Sequence, residues 1–195
     1  MSATSDVITA APDPRRNAFR ADLADIRLEG VVTAARFTGG APGQIVHPST
    51  PLRKAPDVTR GFETEALFGE AVTVFDEADG WAWVQLARDG YVGYVAANAV
   101  RPAPLVVPTH RVGALGTFVY AAADIKSPPI MHLPMNALIT ITGGDDRMME
   151  LQHGGFIVAR HIAALDRPAR DFVEIAERLI GTPYLWGGCT RIGID

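Results

Sequence analysis

The chain has 195 residues, 48% apolar and 21% charged, with 18 Lys and Arg against 22 Asp and Glu for a formal charge of −4. That balance excludes disorder throughout, and no apolar run reaches the roughly 18 residues of a membrane span. Mild acidity without a basic stripe argues against a nucleic-acid surface, and one cysteine excludes an intrachain disulfide or a multi-cysteine zinc site.

The opening stretch, MSATSDVITAAPDPRRNAFR, has no apolar core of signal-peptide length, so a cytoplasmic location is expected. Residues 1–29 read as an N-terminal extension, with a helical pattern around Phe19, Leu23 and Ile26 and a tip expected to be mobile. From 30 to 101 short apolar runs alternate. Val72 and Val74 face one side, Trp81 and Trp83 share a face that reads as barrel core, and Tyr91-Val92-Gly93-Tyr94-Val95 follows. Asp79-Gly80 and Asp89-Gly90 read as tight hairpin turns. Strands at this spacing predict a small β-barrel or sandwich.

Arg101-Pro102-Ala103-Pro104 reads as a linker, since two prolines in three residues break both helix and ladder. Residues 105–165 then repeat the plan. Leu138-Ile139-Thr140-Ile141 echoes Ala71-Val72-Thr73-Val74 at an offset of 67 residues, and Gly154-Gly155-Phe156-Ile157 echoes Asp89-Gly90-Tyr91-Val92 at 65. The expectation is two barrels of similar size. Asp166-Arg167-Pro168 marks a boundary with Asp166 as a helix cap, and 168–181 takes a helical period. Phe172, Ile175, Ala176 and Leu179 form one stripe, and Gly181 stops the helix.

The closing residues, GTPYLWGGCTRIGID from 181 to 195, resemble the opening signature of the NlpC-type cell-wall cysteine peptidases. Gly181, Pro183, Tyr184, Trp186, Gly187, Gly188, Gly193 and Asp195 stand in the matching places. Residues 65–95 resemble the bacterial SH3-like domain that precedes the catalytic domain in the γ-D-glutamyl-L-diamino acid endopeptidase (dipeptidyl-peptidase VI) branch of that family. The resemblance implies a mainly β chain, with SH3-like barrels at 30–101 and 105–165. The first helix and loop of a papain-like α+β catalytic domain would follow at 168–195.

It further implies a hydrolase acting on γ-D-glutamyl–diamino acid bonds of peptidoglycan-derived peptides (murein recycling), with no cofactor and no metal. Such an enzyme needs a thiolate beside a histidine base. In the family pattern the nucleophile directly follows the aspartate matched by Asp195. The 195 residues therefore carry no expected catalytic residue, and the fragment is expected to be inactive. Cys189 falls in what reads as a variable loop. His47, His110, His132, His153 and His161 all precede the helix, in or near the predicted barrels.

The partner implied is a murein peptide with a free N-terminal L-Ala. Its ammonium needs a carboxylate and further acceptors. Asp195 matches the family aspartate for this purpose, with Tyr91 and one of Glu63 or Glu65 from the barrel, and Tyr184 and Trp186 lining the floor. Each also has a plain structural reading: Tyr91 as core, Glu63 and Glu65 as surface carboxylates, Trp186 as packing.

Burial of Phe172, Ile175 and Leu179 would be worth about 1.5–3 kcal/mol each, roughly 5–9 kcal/mol together. The tail is thus expected to dock on a barrel, self-associate through the exposed helix, or fray. The competing readings are a non-catalytic SH3-like module that binds peptide or cell wall, and a regulatory subunit.

Overall fold

A computed structural model of the chain describes residues 12–195. The expectation for the extreme N-terminus lies outside the described residues. In place of the helical pattern near Phe19 there is a short parallel pair, β1 (Ala24–Asp25) with β2 (Phe37–Thr38), and a 3-10 turn at Ile26–Leu28.

Seven further strands follow: β3 (Ala41–Ile45), β4 (Ser49–Arg53), β5 (Phe62–Leu67), β6 (Ala71–Ala78), β7 (Trp81–Leu86), β8 (Val92–Ala96) and β9 (Val100–Pro102). They pair antiparallel in the order β5-β4-β8-β7-β6-β3-β9. The order leaves β5 and β9 as edges, so this is a curled open sheet by its pairing and not the closed barrel expected. Its concave side holds Ile45, Leu52, Ala66, Val72, Ala82, Val84, Leu86 and Val95.

The β6–β7 turn is the tight one expected. Asp79 (φ 52°) and Gly80 (φ 78°) both lie in the left-handed region, which matches the right-handed twist of the flanking strands. Asp89-Gly90 instead belongs to a longer connection, in which Gly90 N–H donates to Leu86 O and Leu86 N–H to Tyr91 O. Trp83 corrects the core assignment. It packs on the opposite side of the sheet with Ala18, Leu23, Phe75 and Val92, and the Arg20 guanidinium lies 4.3 Å from its ring. Alternation along β7 puts Ala82, Val84 and Leu86 in the first core and the Trp83 indole on the other face, beneath the N-terminal extension. Trp81 is only half-buried.

Arg101 and Pro102 belong to β9, where Pro102 is tolerated because the strand is an edge; the connection to the next unit begins after them. Gln44 anchors it, its side-chain amide bonding Gly69 O and both polar groups of Val106.

The second unit comprises β10 (His110–Val112), β11 (Gly116–Tyr120), β12 (Pro129–Pro134), β13 (Leu138–Ile139), β14 (Ile141–Gly144), β15 (Met148–Leu151), β16 (Phe156–Val158) and β17 (Ile162–Ala164). They form a five-stranded sheet, β12-β11-β16-β15-β14, and a three-stranded one, β13-β10-β17. The long β6 of the first unit corresponds here to two short strands in different sheets. Strand, 3-10 turn and strand recur at 92–102 and 156–164. The closest recurrence is the hairpin β4–β5 against β11–β12. Ser49↔Leu67 becomes Gly116↔Pro134, and Arg53↔Phe62 becomes Tyr120↔Pro129, with the irregularity at the same place in each. Phe68 joins the core of the second unit with Val112, Leu133, Ile139 and Ile157, so the two units share packing.

The C-terminal helix, α1 (Phe172–Glu177), is far shorter than expected. Its cap is Asp171, not Asp166; the Asp171 carboxylate accepts from Val173 N–H at 2.8 Å and Glu174 N–H at 3.4 Å. The stripe finds no sheet: Phe172 is 84% exposed, while Ile175 and Leu179 are half-buried. The chain ends in a small hairpin, β18 (Cys189–Thr190) with β19 (Gly193–Ile194).

Candidate functional site

The hairpin is folded against the edge strand β5, and the contact is specific. Cys189 N–H donates to Glu65 Oε2 at 2.9 Å, and its Sγ donates to Glu65 O at 3.5 Å. Gly187, at φ 69°, lies flat on the same strand. A Cβ there would come 2.9 Å from both the carbonyl carbon and the oxygen of Glu63, so only glycine permits this approach. Of the three fates expected for the tail, its final loop docks.

Asp195 closes the loop on itself. Gly187 N–H donates to Asp195 Oδ2 at 3.0 Å, and Asp195 N–H donates to Gly188 O at 3.0 Å. Tyr184 is 69% exposed, its phenol raised above the usual range by desolvation and by the facing Asp195 carboxylate. Trp186 is 64% exposed. Glu63 is half-buried and contributes backbone beneath Gly187. Glu65 is buried and contributes its carboxylate to the tail.

Tyr91 is half-buried and packed on the first core, with Asp89 Oδ1 accepting from its N–H at 3.0 Å. Two arginines of the extension, which sequence reasoning did not single out, lie in this quarter. The Arg16 guanidinium is 5.9 Å from the Tyr91 ring. Arg15, paired chiefly with Asp13, also feels Tyr91 and Glu63.

Beneath the docked loop is a charge cluster that no spacing in the sequence announces. Arg88 donates to Glu70 Oε1 at 2.5 Å, to Asp89 Oδ2 at 3.1 Å and to Glu65 O at 3.3 Å. Glu70 is buried, its Oε2 has no partner, and burial holds its carboxyl above the ordinary value despite Arg88. The Cys189 thiol is pushed up to about 11 by burial and then by the Glu65 carboxylate. A thiol so placed stays protonated at neutral pH, the opposite of what a nucleophile needs.

The histidines lie elsewhere. His161 Nδ1 is 2.8 Å from Thr117 Oγ1, and Arg101 reaches His153 at 3.2 Å. Among the described residues there is no cluster of His, Cys, Asp or Glu that would hold a metal, and no helix long and apolar enough to cross a membrane. A cavity of about 620 Å³ opens on the second unit, lined by Asp124, Ile125, Asp145, Arg147 and Arg160. The residues singled out from the sequence are not among its lining.

Fold and tail geometry define a class: a mainly β chain with an SH3-like unit and a C-terminal loop docked on it. Residues 52–100 match the family of the bacterial dipeptidyl-peptidase SH3 domain. An NlpC/P60 family protein from Bacillus cereus ATCC 10987 has a similar structure (TM-score 0.64, 18% identity), covering 80% of this chain and 68% of its own. At that identity the likeness is one of fold alone. NlpC2 and NlpC1 from Trichomonas vaginalis match at TM-scores of 0.30 and 0.28 and identities of 14% and 15%. They cover 77% and 73% of this chain, which spans 60% and 52% of theirs, and so distant a likeness carries no argument. No curated protein matches the chain.

Proposed function

We propose that these residues are the N-terminal part of a cysteine peptidase that hydrolyses γ-D-glutamyl–diamino acid bonds in peptidoglycan-derived peptides. The observation that carries the reading is the seating of the GTPYLWGGCTRIGID loop on strand β5, within the residues that match a dipeptidyl-peptidase SH3 domain. A free-standing binding module has no need of that loop.

In this reading the 195 residues supply the substrate-facing wall and not the reacting thiol. The Asp195 carboxylate takes the ammonium of an N-terminal L-Ala, and Tyr91 and Glu63 extend the wall. Tyr184 and Trp186, both exposed beside Asp195, give the peptide an aromatic floor. Charge-assisted hydrogen bonds to an ammonium are strong only where the partner carboxylate is held in place, and Asp195 is held by Gly187 N–H. Cytoplasmic recycling of released wall peptides is the setting proposed.

Titration calorimetry with L-Ala-γ-D-Glu-diaminopimelate and its N-acetylated form tests the wall. The free amine is expected to bind at least about tenfold more tightly, a difference of about 1.4 kcal/mol. Hydrolysis is expected only after a separately made downstream half of such a peptidase is added. Equal binding of the two peptides, or none of either, would sink the reading. Binding that never leads to hydrolysis on addition of that half would favour the non-catalytic SH3-like module.

A further inference from the structure

The hairpins β4–β5 and β11–β12 are the same element used twice. All five of their paired positions are related by a shift of 67 residues, with the register irregularity after the fourth pair in both. Under that shift Glu65, opposite Pro51, is equivalent to His132, opposite Phe118. Both repeats lie against the C-terminal hairpin. Glu65 bonds the Cys189 amide. His132 covers Gly116, where a Cβ would come 2.6 Å from its Nε2, and the Arg191 Cδ lies 3.5 Å from that same point. Two residues of one small hairpin, Cys189 and Arg191, thus reach the two repeats, the first at Glu65 and the second beside Gly116.

We propose that Glu65 clamps the C-terminal hairpin to the first repeat, and that it is a positioning residue for the Asp195 carboxylate and not a ligand of the substrate. The path is short. Glu65 fixes the Cys189 amide, and the preceding Gly187 and Gly188 lie in the loop held down at that point. Their N–H and C=O respectively bond the side chain and backbone of Asp195. The buried Glu65 Oε2 is committed to this amide, while the exposed Asp195 keeps a face toward solvent. Only the purpose of holding Asp195 rests on the proposed function; the clamp itself does not.

The test uses the 195-residue chain and two readouts, amide exchange by NMR at Gly187 and Asp195 and alkylation of Cys189 by iodoacetamide at pH 8. Glu65→Ala is expected to speed both by about tenfold or more, because the thiol gains solvent and thiolate character when the loop lifts. Glu65→Gln should stay within about threefold of wild type, since its amide oxygen can accept the same N–H.

Gly187→Ala guards against a Glu65→Ala chain that fails to fold. It pushes the loop away from the tail side without touching the first core, and exchange at Asp195 should rise as it does in Glu65→Ala. The clamp is overturned if Glu65→Ala frees Cys189 while Gly187 and Asp195 keep their protection, or if Gly187→Ala leaves Asp195 protected. Glu65→Gln behaving like Glu65→Ala would also overturn it. Peptide titration is a separate measurement: a wild-type chain that protects the loop yet binds no peptide retains the clamp and loses the functional reading.

Discussion

Arg88 holds three acceptors around one guanidinium, and the most demanding of them is Glu70, a buried carboxylate with a second oxygen that nothing satisfies. Burial raises the Glu70 carboxyl above 4.5 and Arg88 pulls it back. Its protonated form is thus favoured by folding, so this group's contribution to stability is full below pH 4.5 and is lost as the pH rises through its folded value. Arg88→Met removes the one opposing charge and leaves the carboxylate unpaired. We expect a loss of about 2–3 kcal/mol at pH 7, at the lower end for breaking a buried pair because Arg88 itself is partly exposed. The deficit should shrink below pH 4.5, where a neutral Glu70 no longer needs the cation. Urea unfolding at the two pH values checks both the size and the sign.

Among the elements, two glycines of the first sheet separate backbone freedom from packing. Gly80 sits at φ 78° with open space where a Cβ would go, so Gly80→Ala carries only the left-handed backbone cost, about 1–2 kcal/mol. Gly93 has an ordinary φ but lies where β8 meets β4. A Cβ there would come 2.6 Å from Arg53 O and 2.8 Å from Leu52 Cγ. Since β4 and β8 share a single paired position, Arg53↔Tyr94, overpacking strikes the point where the sheet curls. Gly93→Ala is expected to cost more than Gly80→Ala, about 2–3 kcal/mol, and to disturb near-ultraviolet circular dichroism, which Gly80→Ala should not. Equal effects of the two would show that the sheet does not curl through that contact.

At the scale of the whole molecule, residues 172–192 carry several exposed apolar side chains. Phe172, Ile180 and Ile192 are 84%, 82% and 74% exposed, with Tyr184 and Trp186 beside them in sequence. Single exposed apolar residues are ordinary, but this many within one short segment favour association where they adjoin. The 195-residue chain is therefore expected to self-associate as its concentration rises, and the double variant Phe172→Asp, Ile180→Asp to remain monomeric in sedimentation velocity. A monomeric wild type at high concentration would show that the segment folds back on the molecule.

The sequence by itself determined what short-range stereochemistry determines. Asp79-Gly80 had to be a tight turn because few residue pairs tolerate two positive φ values, and the alternation around it had to be strand. The 67-residue echo was visible as well, and the structure extends it through the β4–β5 and β11–β12 pairs. The closing motif was legible as a motif, because its glycines, proline and aromatics lie within fifteen residues. Only the tertiary structure decided which face of β7 turns inward, since a period of two defines two faces and here both are apolar. Tertiary structure also shortened the C-terminal helix, whose stripe has no sheet to pack on. Above all it brought the Glu65 carboxylate to the C-terminal loop. Its bond to the Cys189 amide joins positions 124 residues apart, and no local pattern encodes the acceptor a distant N–H will find.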